Sequence, residues 1–320
     1  MIYYWLIAII LAYFFFSLSS LGDKLFLSGK PSPILYTFYA SIFGLFMLVF
    51  IPFVNFGFPN GATFGWIFLA SLARFVGLYF SYVAVKKFEI SKIVPSIGAM
   101  QPILIFILTW IFFGPQIIST VTIFAFIFLL AGSIMISFEE NIQVNKEYLG
   151  TTFLVALLAS FDFIFSKLAF LSFSLTNPWF TGSKNLFEFS VFMTPFIWMT
   201  IIISFFAVLM LLSKNARNEI FSEKIVSDKK NQIIFLGAQL SGGLGGIFYN
   251  LSISLAPIAF LAVISSLRGV QYAFLFVLTL VLSVFYSKFF KENLSRKIII
   301  QKISAILLII FGLILLAVVQ

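Results

Sequence analysis

Ten runs of apolar residues, most of about twenty or more, follow one another along this chain, and they fix its class before anything else is weighed. A helix needs about 20 such residues to cross the hydrocarbon core of a bilayer. By that ruler the runs fall at roughly 2–22, 32–53, 63–85, 92–113, 117–138, 149–172, 186–212, 231–254, 257–287 and 297–319. The ninth is too long for an upright helix, so either it tilts or its end near Tyr286 leaves the membrane. Backbone inside lipid must satisfy its own hydrogen bonds, so helix is the expected element throughout. Composition agrees: 62% of residues are hydrophobic and 10% charged, against about 25% charged in a soluble domain. The expectation is an all-α membrane protein with ten transmembrane helices, multi-pass and in the cell (plasma) membrane. The first run has no basic flank and no small-residue cleavage site, so it reads as a retained helix rather than a signal peptide.

The net charge of +9 does not point to nucleic acid, because the basic residues sit at the ends of the apolar runs. They are unevenly divided. The connections after runs 1, 3, 5, 7 and 9 hold nearly all of them, including Lys24, Lys30, Lys86, Lys87, Lys146, Lys214, Arg217 and Lys291. The other side holds at most Lys167 and Lys184. The positive-inside rule puts the first set in the cytoplasm and, with ten spans, both termini outside. Cysteine and histidine are absent. That removes thiol nucleophiles, disulfides and histidine-based metal sites or general bases. No carboxylate pair replaces them, so neither an enzyme nor a metal or other cofactor is expected.

The chain reads as a repeat. Run 1 ends Leu21-Gly-Asp-Lys24-Leu and run 6 holds Phe165-Ser-Lys167-Leu. Run 4 contains Ser96-Ile-Gly-Ala-Met-Gln101-Pro, and run 9 contains Ser266-Leu-Arg-Gly-Val-Gln271-Tyr. Run 5 has Leu130-Ala-Gly132-Ser and run 10 has Ile310-Phe-Gly312-Leu. Each pair holds the same place in a five-helix half, which divides the chain at 1–140 and 141–320. Five is odd, so the second half must be inverted, and inverted repeats place substrate sites near the midplane.

Three stretches resemble the drug/metabolite transporter superfamily, in particular its EamA-type ten-helix members. They are Ala84 to Pro102, with Pro95 inside a helix; Leu255-Ala-Pro257-Ile-Ala-Phe-Leu in the second half; and Lys291-Glu292-Asn-Leu followed by Gly312. The first-half turn, Gly114-Pro115-Gln116, lacks the glutamate usual in the family. The resemblance implies a carrier of small metabolites that works by alternating access.

Two arginines lie inside apolar runs: Arg268 in run 9 and Arg74 in run 3. An arginine at bilayer depth costs roughly 3 kcal/mol on insertion scales and is a functional candidate by default. Arg268 and Gln271 are three residues apart and share a helix face, where a guanidinium fork and an amide could grip a carboxylate or phosphate. Gln101 is the repeat counterpart of Gln271. Asp162 is the acid clearly inside a span, and it reads as a partner for Arg268 or Arg74 or as a site for a coupling proton. Lys24 and Lys167 read as snorkelling to the interface. Gly242 and Gly246 suit close helix packing; Tyr249 and Asn250 follow them and are candidates to line a cavity.

The expected function is secondary transport of a small polar metabolite, anionic or zwitterionic, in a lipid bilayer. A lipid or lipid-linked translocase and a non-transporting scaffold or receptor are the alternatives.

Overall fold

The computed structural model describes residues 4–26, 32–88, 90–137, 145–176, 184–222, 229–285 and 296–319. These are almost entirely helical, with no strand among the described residues. Eight helices are long and apolar enough to cross a membrane. The helices are α1 (Tyr4–Phe26), α2 (Pro33–Phe43), α3 (Gly61–Lys87), α4 (Ile90–Phe113), α5 (Thr120–Ser137) and α6 (Lys146–Thr176), then α7 (Lys184–Met210), α8 (Lys214–Ser222), α9 (Lys229–Leu255), α10 (Leu261–Ser266), α11 (Arg268–Phe285) and α12 (Arg296–Val319). The apolar helix Thr120–Ile136 within α5 is shorter than the eight, and α9 is not among them. The turn at Lys291 and the side chain of Lys24 lie outside the described residues.

The chain divides into two compact units. The first holds 1–30, 88–156 and 226–320; the second holds 31–87 and 157–225.

In the first unit α1 lies along α9, α5 lies along α12, and α10 and α11 pack against α4 and α5. Glycine permits the two long pairings. A side chain on Gly245 of α9 would stand 2.6 Å from the Phe16 ring, and one on Gly242 would stand 3.0 Å from Ser19 Oγ. Gly246 meets nothing within 4 Å, so the expected Gly242/Gly246 seam is instead Gly242/Gly245. Both spacings lie on one helix face, and the position of α1 selects between them. The α5–α12 crossing is reciprocal. A Cβ on Gly132 would lie 2.7 Å from Ile309 Cγ1 and 3.0 Å from the Ala305 carbonyl; on Gly312 it would lie 2.7 Å from Leu129 Cγ and 3.2 Å from the Ala125 carbonyl. Each glycine is met by residues three and seven positions before the other, which is the geometry of an antiparallel pair about a local two-fold axis.

Gly114 ends α4 with φ +75, the left-handed conformation glycine adopts without strain. The amide of Gln116 donates to the carbonyls of Phe113 and Gly114 at 3.1 and 3.2 Å. Those are carbonyls left over at the helix end, and Gln116 satisfies them where a glutamate could not.

In the second unit α2 runs on as a 3-10 helix, Gly44–Phe53. Ten residues at about 2.0 Å rise rather than 1.5 lengthen the segment by about 5 Å, so the 21 residues Pro33–Phe53 have reach to span. Asn60 caps α3 through a 2.8 Å bond from the Thr63 amide. The loop between them is tied to α7: Trp198 Nε1 donates to Gly57 O at 3.0 Å, and Thr194 Oγ1 donates to Asn55 O at 3.3 Å.

Replacing Gly132 or Gly312 with valine should lower the thermal midpoint in detergent, corresponding to a loss of about 1–3 kcal/mol by overpacking. Alanine at either site should cost less, and valine at Gly246 should leave the midpoint unchanged.

Candidate functional site

The run from 257 to 287 does not form one helix. Pro257 and a 3-10 turn, Ile258–Phe260, precede α10, and the helix breaks again at Leu267 before α11 starts at Arg268. The span Ile258–Val281 is thus interrupted near its middle. Local chemistry favours the break: Ser266 Oγ donates to Val263 O at 2.7 Å, competing with the helix ladder, and Gly269 follows. Three of the groups beside it find partners on other helices. Ser133 Oγ of α5 donates to the Ser266 carbonyl at 2.7 Å and accepts from the Gly269 amide at 2.9 Å. Tyr13 of α1 donates to the Ile264 carbonyl at 3.1 Å. A Cβ on Gly269 would collide with Ser133 Oγ, so glycine there is what admits Ser133.

Arg268 is the first residue of α11 and is half-buried. Its Nη1 donates to Gln101 Oε1 of α4 at 2.6 Å. Gln101 is 5% exposed and is followed by Pro102. The amide that Arg268 engages is therefore the one from the first half. Gln271 turns to α1, where its Nε2 donates to Ser20 Oγ at 3.3 Å. Gly98 makes room for this approach: a Cβ there would lie 3.0 Å from Arg268 Cδ and 2.8 Å from the Tyr272 hydroxyl. Tyr272 in turn donates to the Val94 carbonyl at 3.2 Å. Tyr13, Tyr249 and Tyr272 stand around Arg268. Among the described residues no carboxylate lies within ion-pair distance of Arg268, and four of its five N–H donors have no hydrogen-bond partner.

Tyr249 lies edge-on to Tyr13, with ring centroids 6.4 Å apart, and to Phe16 at 5.9 Å. Asn250 is buried, and its Nδ2 donates back to Gly246 O at 2.9 Å.

In the second unit Arg74 of α3 meets Asp162 of α6. Nε lies 3.1 and 3.0 Å from the two carboxylate oxygens. Ser166 Oγ donates to Asp162 Oδ1 at 3.3 Å. Of the two arginines that Asp162 was expected to serve, Arg74 is the one it pairs with. Nearby, Gly77 packs on Leu158 at 3.4 Å. Lys167 does not snorkel: it is 3% exposed, well inside the Lys146–Leu175 span, because α6 continues beyond it for more than two turns.

Sequence reasoning missed Tyr13, Ser133 and Tyr272. Ser133 had a signal in its place beside the matched Gly132; Tyr13 and Tyr272 had none that set them apart from the chain's other tyrosines.

No family model matches this chain, and no curated protein matches it. Among solved structures it is similar to one described only as "Crystal structure of protein", with a TM-score of 0.66 and 14% identity over 100% of this chain and 98% of that one. At that identity the likeness concerns the fold alone.

Asp162→Ala should destabilise the protein by about 3 kcal/mol, because it leaves a charged Arg74 in a mostly buried setting. The double change Arg74→Met with Asp162→Leu should recover most of that loss. Thermal melts of the four members of this double-mutant cycle in detergent check both statements.

Proposed function

We propose that this chain is a secondary transporter of small anionic metabolites, working by alternating access in the plasma membrane. The observation that carries the reading is Arg268: a guanidinium near the middle of a membrane span, with no carboxylate at ion-pair distance among the described residues and four N–H donors unspent. A charge kept at that depth at a cost of roughly 3 kcal/mol suits a ligand that supplies the missing anion. Planar, bidentate donors suit a carboxylate or phosphate. The broken helix supports the same reading, since discontinuous helices at the midplane are where carriers bind substrate and move. Among the described side chains of the first unit Glu147 is the lone acid, and it is exposed, which favours an anion over a zwitterion.

The ten-helix architecture in two inverted halves, 1–140 and 141–320, belongs to the same proposal, with α5 and α9 completing the eight spans. The reciprocal Gly132/Gly312 crossing supports it, for the sequence match pairs those two glycines. A second recurrence supports it too. Gly77 of α3 meets Leu158 of α6, and Gly245 of α9 meets Phe16 of α1. One helical turn earlier, Arg74 meets Asp162 in the first case and Gly242 meets Ser19 in the second. A carrier of the drug/metabolite transporter type has this plan, and with ten spans the loop charges favour both termini outside. No nucleotide-binding motif is present, so transport runs on a gradient or by exchange.

Reconstitution into liposomes with a panel of radiolabelled carboxylates, phosphates, neutral sugars and amines tests the reading. The protein should accept one or more anions. Arg268→Ala should weaken uptake roughly 30-fold or more, as expected when a buried charge pair loses one partner, and Arg268→Lys should retain part of it. Equal uptake by Arg268→Ala would sink the proposal. If a proton is coupled at Asp162, Asp162→Asn should abolish uptake driven by a pH gradient while counterflow exchange survives.

A further inference from the structure

One groove on the second unit, remote in sequence from Arg268, joins cationic side chains to an uncapped helix end at the edge of the membrane spans. It encloses about 410 Å³. The last turns of α3 supply Tyr79, Lys86 and Lys87, and both lysines are exposed. Pro33 and Ile34 of α2 and Val83 of α3 form an apolar wall, and Glu219 of α8 lies at the rim.

The start of α2 is electropositive for an identifiable reason. Ser32 holds the N-cap position but makes no side-chain cap bond; its hydroxyl donates to Glu219 Oε2 instead. Pro33 has no N–H, and the amides of Ile34 and Leu35 have no partner among the described residues. A helix end in that state attracts anions, and here two lysines flank it. Glu219 offsets part of the positive charge around the groove.

The groove also has a definite place along the membrane spans. The span Pro33–Phe53 begins there and Gly61–Lys87 ends there. The basic connections after runs 3 and 7 therefore meet at this point. α8 lies against α2, with Ala216 and Ile220 buried and Phe221 68% exposed, as an interfacial helix would be.

We propose that this groove binds the headgroup of an anionic phospholipid. Its phosphodiester would be held by Lys86, Lys87 and the α2 amides, and its acyl chains would continue along Pro33, Ile34 and Val83 into the bilayer. Basic pockets at the cytoplasmic ends of membrane helices hold anionic headgroups by the same charge complementarity. The apolar wall favours a lipid over a free anion, because a dissolved phosphate gains nothing from it.

Native mass spectrometry of the purified full chain, titrated with phosphatidylglycerol, phosphatidylethanolamine or phosphatidylcholine of matched acyl chains, decides the matter. Phosphatidylglycerol should be retained most strongly. Lys86→Gln and Lys87→Gln should each weaken its retention about fivefold, and the double variant should bring it to the level of phosphatidylcholine. Excess inorganic phosphate should not displace it. Equal retention of the three lipids, or unchanged retention in the double variant, overturns the proposal. Displacement by inorganic phosphate overturns it in favour of a free-anion site. None of these outcomes depends on whether Arg268 binds a substrate.

Discussion

Every backbone polar group inside a bilayer must find a partner within the protein, because lipid offers none and each orphan costs several kcal/mol. That demand organises the first unit around the break at Leu267. Once α10 and α11 separate, the carbonyls of Ile264 and Ser266 and the amide of Gly269 need donors and acceptors from elsewhere. Tyr13 and Ser133 provide them. Ser133 can do so only if α5 comes very close, which requires that Gly269 carry no side chain. The close approach of α5 and α12 at Gly132 and Gly312 belongs to the same packing problem. A polar detail in one helix thus dictates small residues in two others.

The two membrane arginines answer the cost of their charge in different ways. Arg74 is neutralised locally by Asp162, with Ser166 completing the shell of the carboxylate. Such a pair stabilises little beyond offsetting its own desolvation, but it is costly to break. Among the described residues Arg268 has only the amide oxygen of Gln101, which softens the penalty without cancelling the charge. Of the two arginines, it is Arg268 that is left with unspent donors. This separates a group that holds helices together from one available to a ligand, and charge counting along the sequence could not have separated them.

Hydropathy alone made the helices legible, because a membrane helix must be apolar along a fixed length whatever its neighbours are. The arginines were legible too, as exceptions to that rule. The break in the ninth run was not: its flanks are as apolar as those of an intact helix, and only the excess length hinted at it. Gln101 and Gln271 looked equivalent because they match in sequence, yet one accepts from Arg268 of α11 and the other donates to Ser20 of α1. Lys167 departs from its expected interfacial position for a related reason: α6 runs on past it to Thr176. Partner choice for a hydrogen bond depends on which helix approaches, and no local pattern encodes that.

The repeat reading gives the asymmetry of the candidate site a steric cause. Gly98 stands in the first half where Arg268 stands in the second. The space a side chain at Gly98 would need is the space into which Arg268 Cδ and the Tyr272 hydroxyl already extend. An arginine at both positions would clash before it repelled. One half must therefore give up its side chain for the other to project one. On the proposed repeat the two halves supply two copies of a backbone geometry, while close packing at Gly98 admits one large charged side chain. A scaffold of that kind, carrying one arginine with no ion-pair partner among the described residues, is the expected result of those two constraints acting together.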